Sequence, residues 1–128
     1  MASILKVDTI TGVATAGSIA ITGEGNSTTT NLQQGLAKAW CRASSAAALQ
    51  DSLNIASGTD SGTGNYEFTF TNNMATSAIA GSATAVSSLA RMATYHGTST
   101  TGYGVEIHND SGGKGDTGTH HQTFGDLA

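Results

Sequence analysis

The chain has 128 residues, a formal net charge of −4 and 11% charged side chains, enough for one domain or one small domain with an arm. So little charge removes the charge-rich signature of disorder, the lack of a basic patch argues against nucleic-acid binding, and no apolar run approaches the ~20 residues of a membrane helix. Thr, Ala, Gly and Ser supply 70 residues against 28 large apolar ones, so the core is thin and favours help from partner subunits.

The single cysteine, Cys41, excludes an internal disulfide and Cys-based zinc sites. The opening MASILKVDTI lacks the apolar stretch and cleavage pattern of a secretory signal. Its residues read instead as short strands, Ile4–Asp8 and Thr9–Val13, with Gly12 as punctuation. Ser18–Thr22 alternates apolar and polar, the period of a half-buried strand, and Gly23-Glu24-Gly25-Asn26 breaks it. The segment is too poor in bulk to fold alone and is expected to pack on something else.

Ser27–Asn31 offers helix-starting residues. Leu32, Leu36 and Trp40 then recur at helical spacing. Gly35 weakens such a helix, and about ten residues are too few for one in isolation. The apolar stripe must therefore be covered, either by symmetric copies around a three-fold axis or by the edge of the same subunit's sheet.

From Lys38 onward the pattern is mostly β. Lys38–Ala43 opens a strand, with Cys41 a buried, inert thiol beside Trp40. Ser44–Leu53 is rich in helix formers among strand-like neighbours, leaving residues 43–49 open between strand, turn and helix. Leu53–Ser57 alternates, and Ser57–Asn65 reads as a turn cluster. Tyr66–Thr71 is the clearest strand, with three aromatics on one face. Ala75–Ala85 and Ser87–His96 are weaker strands, Tyr103–Asn109 alternates again, and Thr117–Phe124 forms a last strand after the loop Asp110–Gly115. Strands about ten residues apart with Gly/Asn turns predict an all-β fold, an antiparallel β-sandwich. The expected organisation is an N-terminal arm with a short helix over residues 1–37 and a sandwich head over 38–128.

Chemistry-bearing patterns are sparse. Of the four histidines, His96, His108, His120 and His121, the pairs His108 with Asp110 and His120 with His121 could supply metal ligands, but adjacent His residues in a strand point to opposite faces. Ordinary surface or interface histidines are the default reading. No Gly-x-Ser-x-Gly elbow accompanies the many serines, and the scattered acids form no glycosidase pair. Gly62-Thr63-Gly64 lacks the rest of a phosphate loop and reads as a hairpin turn. Asp110–Asp116 carries two carboxylates that suit calcium, but Lys114 has the wrong charge. Tyr66, Tyr95 and Tyr103 are mostly core by composition, with Tyr95 and Tyr103 the candidates for exposed recognition aromatics of a carbohydrate-binding module. No cofactor and no enzymatic activity are expected.

Four blocks carry a resemblance: Ile4–Thr11, Asn31–Trp40, Ser61–Thr71 with Asn72-Asn73-Met74, and Phe124–Ala128. On these the whole chain resembles a family of short virion structural proteins of marine tailed phages, often described as tail-fibre-like. The resemblance implies a non-enzymatic virion protein with an N-terminal arm, a β-sandwich head and trimerisation. Cys41-Arg42-Ala43-Ser44 departs from it, since the family continues the Ala-Trp strand with larger apolar residues. On this reading Ile4, Leu5, Val7 and Ile10 dock on other virion proteins, capsid or tail. Leu32, Leu36 and Trp40 hold a homotrimer together. The head is then a fibre-like appendage, a capsid decoration or a module for a host-surface glycan, with no nucleic-acid partner and no membrane insertion.

Overall fold

The computed structural model describes residues 5–12, 19–22, 29–87 and 89–128. The chain divides into two compact units, Met1–Leu36 and Ala37–Ala128.

In the first unit, β1 (Ala20–Thr22) pairs antiparallel with β2 (Thr29–Asn31), Ile21 opposite Thr30. The strand expected over Ser18–Thr22 is thus this short ribbon. Residues 5–12 form no strand, so the two strands expected there are corrected; Ile4 and Val13 lie outside the described residues. β2 leads into a single helical turn, α1 (Leu32–Gly35). Leu32 N–H donates to Ile19 O at 2.9 Å, fastening that turn to the ribbon. The turn ends at Gly35, the residue that most weakens a helix here.

The second unit is all-β and has no helix among its described residues. One antiparallel sheet has the order β4 (Leu49–Leu53), β3 (Ala39–Ala43), β10 (Gly118–Phe124), β7 (Ala80–Val86). The other has the order β5 (Ile55–Gly62), β6 (Asn65–Phe70), β9 (Gly102–Asn109), β8 (Arg91–His96). The sheets face one another in a sandwich-like arrangement and share one core. Tyr66, Phe68 and Phe70 of β6 and Tyr103, Val105 and Ile107 of β9 point inward. Opposite them lie Ala39, Cys41 and Ala43 of β3 and Thr119, His121 and Thr123 of β10. Large side chains from one sheet thus meet small ones from the other, which is how a chain with little bulk fills its interior.

Three local features set the strand ends. Residues 44–48 form a tight turn: Ser44 N–H donates to Ala48 O at 2.9 Å, and Ser44 Oγ accepts from the N–H groups of Ala46 and Ala48 at 3.2 Å. That decides the ambiguous stretch 43–49 as a strand end, a turn and the start of β4. Asn54 has φ 57° where the chain leaves one sheet for the other. Its Oδ1 accepts from Asn72 N–H at 2.7 Å and its Nδ2 donates to Asn72 O at 3.1 Å.

The third feature corrects an expectation. Most of the Ser57–Asn65 turn cluster is strand β5, paired with β6 through two register shifts. Gly58 makes the pairing possible, because a Cβ there would stand 2.2 Å from Ala47 O and 2.8 Å from the Phe68 ring. The reversal itself is confined to Thr63 and Gly64, the latter at φ 63°.

Candidate interaction surfaces

Of the expected attachment residues, Leu5, Val7 and Ile10 are 79%, 53% and 55% exposed. Ile21 and Leu36 in the same unit are exposed as well. Among the described residues of this unit, two three-residue strands and one helical turn leave them uncovered.

The expected oligomer stripe is broken up. Leu32 and Leu36 belong to the first unit, whereas Trp40 sits on β3 of the second. Trp40 shares no helix with the two leucines. Lys38 N–H donates to Thr123 O at 2.8 Å and commits the chain to the sheet just before Trp40. Strand alternation then turns Ala39, Cys41 and Ala43 inward and Trp40 and Arg42 outward.

The two tyrosines expected as surface recognition aromatics are corrected. Tyr103 is 1% exposed, inside the sandwich. Tyr95 is partly buried, stacks on Tyr103 with ring centroids 4.5 Å apart, and shares a 2.9 Å hydrogen bond with Thr123 Oγ1. Gly81 leaves the space the Tyr95 ring occupies, since a Cβ there would stand 2.4 Å from it. Both rings belong to the core because β3 and β10 opposite them turn mostly small side chains inward, His121 excepted.

The interior holds one polar cluster that composition did not single out. His121 is buried on β10; its Nδ1 lies 3.0 Å from Tyr103 Oη and 3.1 Å from Cys41 Sγ, and its Nε2 lies 2.6 Å from Thr119 Oγ1. Phe68 meets the imidazole edge-on at 4.3 Å. With the proton on Nε2, His121 donates to Thr119 and accepts from Tyr103, so the neutral ring is satisfied. Burial, helped by the neighbouring His120, pulls its pKa down to about 4. Burial pushes the Cys41 thiol up to about 11. The pair is therefore neutral thiol beside neutral imidazole, the opposite of the thiolate–imidazolium pair of a cysteine nucleophile.

Asp116, Lys114 and His108 have structural partners. Asp116 Oδ1 accepts from Gly64 N–H at 2.6 Å and lies 3.4 Å from Tyr66 Oη, so it ties the 110–117 loop to the β5–β6 turn. Lys114 reaches Glu106 at 2.6 Å, and His108 Nε2 reaches the same carboxylate at 3.1 Å. Those contacts, Lys114 first, hold the Glu106 carboxyl below its ordinary range. Among the described residues no group of three or more His, Cys, Asp and Glu side chains is placed to hold a metal ion. No described helix is long and apolar enough to cross a membrane. Compared with protein-family models, curated proteins and solved structures, the chain matches none.

Proposed function

We propose that this chain is a non-enzymatic structural protein of a bacteriophage virion, an oligomeric fibre-like appendage anchored to the particle through residues 1–37. One observation carries the reading: among the described residues of the N-terminal unit, Leu5, Val7, Ile10, Ile21 and Leu36 are exposed. Exposed apolar side chains spaced along one segment fit an arm that other chains cover. Leu5, Val7 and Ile10 meet the virion partner, and Leu32 and Leu36 contribute to a homotrimer contact. The thin, large-against-small core of the second unit supports a head stabilised by its neighbours. The neutral Cys41–His121 pair supports leaving catalysis out.

The test is the copy number of the chain in purified virions of the phage that encodes it, measured against the major capsid protein by quantitative mass spectrometry. A number on the scale of the capsid protein places it on the shell as a decoration. A number on the scale of tail proteins places it on a fibre. A chain missing from the virions, or a monomer by light scattering whose arm resists protease, overturns the reading.

A further inference from the structure

We infer that the outward face of the first sheet, around Trp40, is a binding site for pyranose sugars. A chain with 28 large apolar residues keeps its only tryptophan out of the core. Trp40 is 37% exposed while Ala39, Cys41 and Ala43 take the inward positions of the same strand. Register builds polar groups around the ring. Trp40 stands opposite Gln122, and Arg42, one pleat along, stands between Asp51 of β4 and His120 of β10. Two shallow depressions flank the indole. One, of about 360 Å³, is shared by Trp40, Arg42, Gln50, Asp51 and His120. The other, of about 180 Å³, lies between Trp40, His120 and Gln122. Among the described residues, the side chains of Arg42, Gln50 and His120 make no hydrogen bond or ion pair.

This set matches the two-sided chemistry of a sugar ring. A pyranose offers a flat face of C–H bonds and a rim of hydroxyls. The indole takes the apolar face, while guanidinium, carboxylate, amide and imidazole exchange hydrogen bonds with the rim. A protein interface would place more apolar bulk beside the tryptophan than Leu53, its neighbour across β3 and β4. A nucleic-acid backbone is opposed by Asp51 in the face and by the net charge of −4. The site does not depend on the virion reading, because it lies wholly within residues 37–128.

The test uses the full chain and the emission of Trp40. The probes are hexoses, N-acetylhexosamines and uronic acids, each as the monosaccharide, the methyl glycoside and a polymer fragment, taken to millimolar concentration. A saturable change in emission with at least one probe is expected, and the polymer arm separates a chain-borne sugar from a free one. On an array of the same sugars, Trp40→Ala and Arg42→Ala should each weaken retention about tenfold or more. Trp40→Phe keeps a stacking face and should retain most binding, which separates loss of the platform from loss of the fold. The inference is overturned if no probe changes the emission, or if retention survives Trp40→Ala. It is equally overturned if the indole is shielded from acrylamide in the assembled protein, since another chain then covers the face.

Discussion

His121 makes the stability of this protein depend on pH in a defined window. The folded ring titrates at about 4 and a solvated imidazole at 6.5. The unfolded chain therefore takes up a proton between those values that the folded chain refuses. Since the folded value is the lower one, the contribution of His121 is fully present above about pH 6.5. It is lost as pH falls toward 4, and below that His121 adds no further loss. Each pH unit in the window is worth about 1.4 kcal/mol, so acidification removes about 3 kcal/mol. The groups facing the ring stay neutral throughout, since the thiol of Cys41 is pushed up to about 11 and the Tyr95 and Tyr103 phenols are raised by burial. Urea unfolding at half-unit steps from pH 7 to pH 4 reads the effect as a free energy that falls with a slope near one proton. Glu106, held low by Lys114 and His108, adds its own loss as pH drops further. A His121→Gln variant keeps that contribution but lacks the imidazole slope. A free energy flat between pH 6.5 and 4, or a His121 ring that titrates near 6.5 by NMR in the folded protein, refutes the burial argument.

Asn54→Ala should cost about 2 kcal/mol in urea unfolding, because it removes the bonds to Asn72 and leaves alanine at φ 57°; Asn54→Gly should recover part of the loss, and an Ala variant as stable as the parent rejects that account. Gly102→Ala should be worse than Gly112→Ala in thermal unfolding. At Gly102 a Cβ would stand 2.2 Å from Phe68 O, whereas Gly112 has open space and only its φ of 79° at stake. The expected losses are about 3 and about 1 kcal/mol, and a reversed order contradicts the packing described. Cys41 should resist an aromatic disulfide reagent at pH 8 in the native protein, because it is buried and only about one thiol in a thousand is ionised there. Prompt labelling without denaturant contradicts its burial.

What was legible in the sequence is what alternation alone decides. Tyr66, Phe68 and Phe70 announce β6, and the period of 103–109 announces β9, because large side chains two apart have one face to share. Where size and period disagreed, the sequence misled. Trp40 lies eight residues after Leu32, which imitates a helix. The strand instead buries Ala39, Cys41 and Ala43 and exposes the tryptophan. That choice has its reason on the other sheet, where Tyr103 and Phe68 fill the volume that a large β3 residue would need. The same holds for His121. Thr119 precedes the His120–His121 pair and Gln122 follows it, both polar, so nothing local says which ring turns inward. The contacts from Cys41 and Tyr103, 80 and 18 residues away in the chain, decide it. Gly58 reads as a turn residue until Phe68 and Ala47 O are seen to occupy the space a side chain would need. In each case the deciding partner lies on another strand or turn, outside the local window that periodicity reads. A core built large against small hides its logic from any single strand, and the exposed Trp40 is the residue that this logic releases for use outside.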